Sequence, residues 1–209
     1  ITHAHLDHVN ALPFLLDNLI GRVAAGVDVY GSAETVEALR RHIFNGVIWP
    51  DFTVLPKPDQ AVLRLHAVSP GEPFPVGPYM VEAVAVNHSV PTLAYLIEGP
   101  DGTVAFSGDT GPTENLWHRL SQIKNLRAIF LETSFPTSHA ELAGRTRHLC
   151  VEDVGRELAK IGHSLGLPVY LYHLKPEYQD VIKREVDHLA AWKIRLAVPG
   201  ETIKITAPA

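Results

Sequence analysis

Apolar residues recur at helical spacing in the first part of the chain. After the polar opening "THAHLDH", the segment "HVNALPFLLDNLIG" predicts a helix that ends at Gly21. The side chains expected to pack inward from this helix are Leu12, Leu15, Leu16 and Leu19. A short buried strand, "VDVYG", comes next, and "SAETVEALRRHIF" predicts a second helix with Ser32 as its N-cap. The expected buried face of that second helix consists of Val36, Leu39 and Ile43.

From residue 61 onward the pattern first alternates and then returns to helical spacing. Strands are predicted at 61–68, 79–89, 93–99 and 103–109, separated by turns rich in glycine and proline. Helices near 113–123, 151–165 and 177–191 then alternate with strands at 127–132 and 168–173, before final short strands. This order predicts a mixed α/β fold in which a layered sheet is covered by helices on its outside.

Length and composition favour a single globular domain over residues 1–209, because 46% of the residues are hydrophobic. The segment 45–60 interrupts the pattern with three prolines and two aromatic residues expected to be exposed, so we interpret it as a functional loop or insertion. The net charge of −5 argues against a nucleic-acid-binding surface, and no stretch is long and apolar enough to span a membrane. The chain begins with Ile1 rather than Met, so we expect natural sequence to precede it, and the sequence does not indicate a cellular location.

The polar opening concentrates metal-ligand side chains in six residues. In an extended segment the side chains at i and i+2 point the same way, so His3 and His5 are able to hold one cation. Asp7 and His8 follow where the chain turns into the first helix, and they are able to face a second cation. A surface cluster without a function is the alternative, but the density of ligand types makes that alternative weak.

Three further residues with side chains that commonly bind metals lie at the ends of predicted strands: His88, Asp109 and His173. Taken singly, each is equally well explained as a polar residue that reaches water. Seven such ligands are what two cations need if one carboxylate bridges them. We therefore predict one metal held by His3, His5 and His88, a second held by Asp7, His8 and His173, and Asp109 as the bridge.

The opening motif resembles the His-x-His-x-Asp-His motif of the metallo-β-lactamase superfamily, and the order of His88, Asp109 and His173 fits it as well. The resemblance implies an αββα sandwich whose first strands would be missing from this chain. The segments "HAHLDHVNALPFLLDN", "HIFNGVIWPDF", "FSGDTGP", "LETSFP" and "HLKPEY" are similar to class II 3′,5′-cyclic-nucleotide phosphodiesterases. That resemblance implies hydrolysis of a small cyclic nucleotide, cAMP or cGMP, to a nucleoside 5′-monophosphate, with no nucleic-acid or membrane partner and a possible homodimer.

The expected mechanism is attack by a hydroxide that bridges the two metals. Two divalent cations balanced by Asp7, Asp109 and the hydroxide leave a charge of about +1, which suits a phosphodiester monoanion. The expected catalytic residues are Asp7, His148 as the acid for the leaving oxygen, and Glu132 as the residue that orients His148.

Several residues keep two interpretations at this point. Trp49 and Phe52 either stack on a nucleobase or pack the insertion onto the domain. Arg147 stands before His148 where the family usually has a small residue, and Cys150 stands where a hydroxyl residue would cap the next helix. Arg145 and Arg147 are expected to form a solvated pair, and Cys150 a small buried residue.

Histidine and carboxylate ligands without thiolate favour zinc, with manganese or iron as alternatives. The competing functions are a tRNA 3′-processing endonuclease, another ester hydrolase of this fold such as a lactonase or thioesterase, and a non-catalytic nucleotide-binding module. The acidic balance and the absence of a Lys- and Gly-rich arm count against the endonuclease.

Overall fold

The computed structural model describes residues 1–20, 22, 26–161, 166–189 and 191–206. It divides into two compact units, Ile1–Ser69 and Pro70–Ala209. The helices are α1 (Leu6–Val9), α2 (Leu12–Leu19), α3 (Ala33–His42), α4 (Asn115–Leu120), α5 (Ala140–Thr146), α6 (Val151–Ala159) and α7 (Gln179–Val186). The strands are β1 (Val27–Gly31), β2 (Leu63–Ala67), β3 (Phe74–Val76), β4 (Tyr79–Val86), β5 (Thr92–Gly99), β6 (Gly102–Phe106), β7 (Leu126–Glu132), β8 (Pro168–Tyr172) and β9 (Lys193–Leu196). Within these residues, no helix combines the length and the apolar character needed to cross a bilayer.

The first unit packs α1, α2 and α3 with a parallel pair of strands, β1 and β2. Its core consists of side chains that are almost fully buried, including Leu16, Leu39, Phe44, Phe52 and Leu63. The strand predicted at 61–68 is therefore β2, which pairs with β1.

The helix predicted after the polar opening is two helices, α1 and α2. Pro13 lies in the first turn of α2, where its missing N–H leaves no helical bond unmade. Leu12 and Leu16, one turn apart, are buried as predicted, but the prediction for Leu15 is wrong because its side chain is 51% exposed. Leu15 lies on the flank of the Leu12–Leu16 face. The predicted end of the helix at Gly21 lies outside the described residues.

The helix predicted after Ser32 is confirmed as α3. The Ser32 hydroxyl accepts a hydrogen bond from the backbone N–H of Thr35 at 3.1 Å, which caps the helix. The segment 45–60 is irregular apart from one turn of 3₁₀ helix at Pro58–Gln60. Its expected exposure is wrong for Phe52, which is 3% exposed and packs 6.1 Å from the Phe44 ring. Burial in the core removes the ring faces of Phe52 from any ligand.

In the second unit, the described strands form a sheet in the order β3-β4-β5-β6-β7-β8-β9. Neighbours from β3 to β6 are antiparallel and neighbours from β6 to β9 are parallel. The edge strand β3 was not predicted, because its sequence Phe74-Pro75-Val76 resembles a turn. Proline is tolerated there because an edge strand leaves one row of N–H groups unpaired.

Helices pack their apolar side chains onto this sheet. The resulting core includes Trp117 of α4, Ile129 and Leu131 of β7, Leu158 of α6 and Leu171 of β8. Helix α5 was not predicted, and the helix predicted to reach residue 165 is described as α6 only to Ala159, since 162–165 lie outside the described residues.

Cys150 is fully buried, as predicted, and it precedes α6. Its backbone N–H and its thiol both donate to the Asp153 carboxylate at 3.1 Å. The absence of a hydroxyl residue at this helix start is therefore compensated by Asp153, three residues later.

Candidate metal centre

The opening motif forms a compact group in the first unit, which we call the N-terminal cluster: His3, His5, Asp7 and His8. His5 is extended, with φ −61° and ψ 146°, and α1 begins directly after it. The Nε2 atom of His3 lies 3.0 Å from the Nδ1 atom of His5, and the His3 and His8 rings are 4.2 Å apart. Asp7 Oδ2 is 3.7 Å from His8 Nε2, while the Asp7 side chain is 62% exposed.

These distances are compatible with a shared cation. In a tetrahedral zinc site, nitrogen ligands at about 2.0–2.1 Å from the metal lie about 3.3 Å from one another. The 3.0 Å between His3 Nε2 and His5 Nδ1 is close to that separation. The donor types, imidazole nitrogens with a carboxylate nearby, suit zinc, manganese or iron.

A second group lies at one edge of the large sheet, and we call it the sheet-edge cluster: His88, Asp109, Glu132, His148 and His173. Strands β4, β6, β7 and β8 run in the same direction, so their carboxyl ends share one edge. Glu132 is the last residue of β7, and His173 directly follows β8. His88 comes two residues after β4 and Asp109 three residues after β6.

Within the sheet-edge cluster, the ligand atoms converge on the Asp109 carboxylate. Its Oδ2 atom lies 3.3 Å from His173 Nε2 and 4.0 Å from His148 Nδ1, and the residue is 1% exposed. Ligand atoms of His88, Asp109 and His148 all lie within 4.8 Å of one another, as do those of Glu132, His148 and His173. The second unit thus assembles a group of buried and half-buried imidazoles and carboxylates with the composition of a metal site.

The Ser134 hydroxyl links three members of the sheet-edge cluster. Its Oγ lies 3.0 Å from His173 Nδ1 and 3.2 Å from His148 Nδ1, and it donates to Glu132 Oε2 at 3.4 Å. When His173 donates from Nδ1 to Ser134, its Nε2 keeps a lone pair and faces Asp109. Sequence reasoning noted the segment "LETSFP" but did not single out Ser134.

Comparison with known proteins identifies the chain. The family model described as "Beta-lactamase superfamily domain" matches residues 1–172. The chain belongs to this superfamily. A probable 3′,5′-cyclic-nucleotide phosphodiesterase from Yersinia pestis is 30% identical over 204 residues, which is 86% of this chain and 57% of the relative. A ribonuclease J from Thermus thermophilus is 31% identical over 111 residues, covering 52% of this chain and 18% of the relative.

Solved structures of the superfamily share the fold. Unliganded yeast PDE1 matches with a TM-score of 0.78 and 22% identity, over 94% of this chain and 64% of that chain. The short form of human tRNase Z matches with a TM-score of 0.68 and 16% identity, over 98% of this chain and 77% of that chain. The expected fold class is confirmed: this is a mixed α/β protein with the layered sheet of the metallo-β-lactamase fold. A single domain over residues 1–209 stays a prediction.

Two residues next to the sheet-edge cluster or within it, Arg147 and His173, have a strained backbone conformation. His173 and Arg147 have φ values of +64° and +55°, a left-handed region that disfavours residues with a Cβ. Strain of this kind concentrates at functional sites, where the surrounding structure holds it in place. At His173 it turns the chain sharply as it leaves β8, with the imidazole directed at Asp109.

Arg147 is exposed, as expected for a member of a solvated pair, but it also bonds His88. Its guanidinium Nη1 donates to the backbone carbonyl of His88 at 2.7 Å, and its own carbonyl accepts from His88 Nδ1 at 2.9 Å. Arg145, two residues earlier on α5, is exposed.

The structure also places Trp49 and most of the histidines that were assigned no role. Trp49 is half-buried and makes an edge contact with Phe14 at 5.1 Å, so its role as a stacking surface stays a prediction. The histidines to which the sequence assigned no role are His42, His66, His118, His139, His163 and His188. His66 bonds Asp28 at 2.7 Å, and His163 lies outside the described residues.

Proposed function

We propose that this chain is a metal-dependent phosphodiesterase that hydrolyses 3′,5′-cyclic nucleotides to nucleoside 5′-monophosphates. The observation that carries the substrate class is the match to the probable cyclic-nucleotide phosphodiesterase, which extends over 86% of the chain. The ribonuclease J relatives cover about half of it, and a ribonuclease Z that covers 91% of it is only 24% identical, against 30% for the phosphodiesterase. The chain spans 57% of the first relative's length, so the activity of a whole protein is part of this proposal.

The proposed metal ligands come from the two clusters described above. We assign His3, His5 and His88 to one cation and Asp7, His8 and His173 to the other, with Asp109 shared between them. Bound divalent cations would supply Lewis-acid polarisation of the phosphate and a lowered pKa for bound water. The chain's own contribution is to orient the imidazoles: Ser134 faces the Nδ1 of His173, and the carbonyl of Arg147 accepts from the Nδ1 of His88.

His148 is the proposed acid for the leaving 3′-oxygen. Its Nδ1 lies 2.7 Å from Glu132 Oε1, and the proposal assigns the proton for the leaving oxygen to its other ring nitrogen, Nε2. Glu132 is completely buried, and burial, followed by the negative charge of Asp109, raises the pKa of its carboxyl well above the ordinary value. A carboxyl group in this position orients the imidazole through the hydrogen bond at Nδ1.

The testing experiment measures metal content and turnover on a panel of substrates. Purified protein supplied with Zn²⁺ or Mn²⁺ is assayed on cAMP, cGMP, bis(p-nitrophenyl) phosphate and a precursor tRNA. The proposal expects turnover of a cyclic nucleotide to its 5′-monophosphate, abolished by a chelator and restored by metal. Cleavage of the tRNA without the cyclic nucleotides would instead favour the activity named for the ribonuclease Z relatives. Hydrolysis of the generic diester alone would place the chain with another phosphodiesterase.

A further inference from the structure

Arg147 ends α5 and holds His88 from two sides, although the two residues are 59 positions apart in the sequence. The Arg147 side chain donates to the His88 carbonyl at 2.7 Å. The Arg147 carbonyl accepts from the His88 ring at 2.9 Å. One residue therefore fixes both the backbone and the imidazole of His88.

The ring contact determines which nitrogen of His88 is available to a cation. A carbonyl accepts only, so the Nδ1 of His88 carries the proton and its Nε2 keeps the lone pair. His88 is 4% exposed, and its ring lies 4.9 Å from the His148 ring. A rotated or flipped ring would present the protonated nitrogen instead.

The backbone of Arg147 also supports the loop that carries Asp109. A Cβ added to Gly111 would lie 3.3 Å from the Cα of Arg147, so the two backbones are in close contact. The Gly111 N–H donates to the carbonyl of Asn87, the residue before His88, at 2.8 Å. Arg147 thus packs where the loops of His88 and Asp109 meet.

Because Arg147 has a left-handed conformation, replacing it with glycine separates the contribution of its side chain from that of its backbone carbonyl. Glycine adopts φ +55° without a steric penalty and would offer the same carbonyl to His88. The bond that glycine would lack is the one from the guanidinium to the His88 carbonyl.

We propose that Arg147 is a positioning residue for the metal site: it holds His88 in the tautomer and orientation that a metal ligand needs, through its side chain as well as its carbonyl. This inference rests on the proposed role of His88 as a ligand. Hydrogen bonds of this kind around a metal ligand typically contribute 10- to 100-fold in affinity.

The test compares Arg147→Gly and Arg147→Lys with Arg145→Ala. Arg145→Ala removes the same positive charge from an exposed position on the same helix, so it controls for electrostatics. Three quantities are measured: the Kd for Zn²⁺ by competition with a chromogenic chelator, the Tm of the metal-free protein, and the tautomer of His88 from its ring ¹⁵N shifts.

Arg147→Gly is expected to weaken Zn²⁺ binding about 10-fold or more while the Tm of the metal-free protein stays the same or rises, because glycine relieves the backbone. Glycine keeps the carbonyl that accepts from His88 Nδ1, so the Nδ1-protonated tautomer should persist and the loss of affinity should come from the less fixed orientation of His88. Arg147→Lys keeps the positive charge and the steric strain of a Cβ at this left-handed position. Its Zn²⁺ affinity should lie between those of Arg147→Gly and the wild type. Arg145→Ala should bind Zn²⁺ like the wild type.

Two results would overturn the inference. The first is a Zn²⁺ affinity of Arg147→Gly equal to that of the wild type. The second is a loss of Zn²⁺ affinity that is accompanied by a matching fall in the Tm of the metal-free protein, because Arg147 would then act on the stability of the fold and not on His88. Failure of the proposed ligand role of His88 is distinguishable, since the wild type itself would then bind no Zn²⁺, whereas a different substrate would leave Zn²⁺ binding and this test unaffected. If the wild type binds no Zn²⁺, the ¹⁵N shifts of the metal-free wild type still show whether His88 is protonated on Nδ1, as its bond to the Arg147 carbonyl requires.

Discussion

The Nδ1 atom of His148 lies 2.7 Å from Oε1 of Glu132, and the Glu132 side chain is fully buried. Glu132 also accepts from the backbone N–H groups of Thr110 and Leu149, each at 3.3 Å. The carboxyl group is therefore held by several hydrogen bonds, and it orients His148 through Nδ1. This arrangement is the basis for separating the acid from the metal ligands by mutation.

Replacing His148 with alanine should lower kcat on a cyclic nucleotide by roughly 10²–10⁴-fold, because the leaving oxygen loses its proton donor. Metal content should remain that of the wild type. Glu132→Gln keeps the shape of the side chain and should reduce kcat in the same direction, with a smaller change in KM. Steady-state kinetics and elemental analysis of each variant measure the loss of kcat and the metal content. If His148→Ala loses metal in proportion to its loss of activity, His148 is a metal ligand and not the acid.

Asp109 offers a sharper test of the two-cation assignment. Asp109→Ala should empty both proposed sites, since a shared carboxylate contributes to each. Asp109→Asn is the matched variant, because it keeps the volume of a side chain that is 1% exposed while removing its charge. Elemental analysis and circular dichroism of both variants should show folded protein with little metal. Two metals retained by folded Asp109→Ala would refute the bridge.

Apart from β3 and α5, the sequence was sufficient for the strands and helices of the second unit, because most of these elements show clear apolar periodicity and several of the turns carry glycine or proline. It was insufficient for β3, where Pro75 and the adjacent Gly77 resemble a turn although the strand pairs with β4. The sequence also did not predict which leucine of α2 is buried. Leu15 and Leu16 are equally apolar, and only the packing of the helix determines that Leu16 is buried and Leu15 is exposed.

At the candidate site, residue types were predictable and their supporting contacts were not. Histidines and carboxylates at strand ends follow from spacing alone, but Ser134 and Arg147 act on rings that are 39 and 59 positions away in the sequence. Such long-range contacts depend on how β7, β8 and α5 are arranged, and no local pattern contains that information.

The difference between Leu15 and Leu16 yields a stability prediction. Leu16→Ala should lower the free energy of unfolding by about 2–5 kcal/mol, since its side chain is fully buried and a cavity would remain. Leu15→Ala is the matched control at a 51% exposed position and should change stability by less than about 0.5 kcal/mol. Urea unfolding followed by tryptophan fluorescence measures both. Similar losses in the two variants would contradict the described orientation of α2.

Asp28 provides a prediction about acid stability outside the site. The hydrogen bond from Arg64, followed in the same direction by that from His66, lowers the pKa of Asp28 from 3.8 to about 2 despite partial desolvation. A carboxyl whose pKa falls on folding contributes stability above its unfolded pKa, and this contribution disappears as the pH falls through the folded value. Because the Asp28 side chain is 38% exposed, solvent screens the interaction, and the contribution should not exceed about 1 kcal/mol.

Asp28→Asn should therefore be less stable than the wild type at pH 5–7, and the two proteins should converge between about pH 4 and pH 2 as Asp28 of the wild type takes up its proton. Asp17→Asn, at an exposed aspartate of α2 in the same unit, is the control and should track the wild type throughout. Urea midpoints measured at intervals across this range provide the comparison. A difference between Asp28→Asn and the wild type that stays constant down to pH 2 would mean that the substitution acts through packing, not through the charge that Arg64 and His66 stabilise.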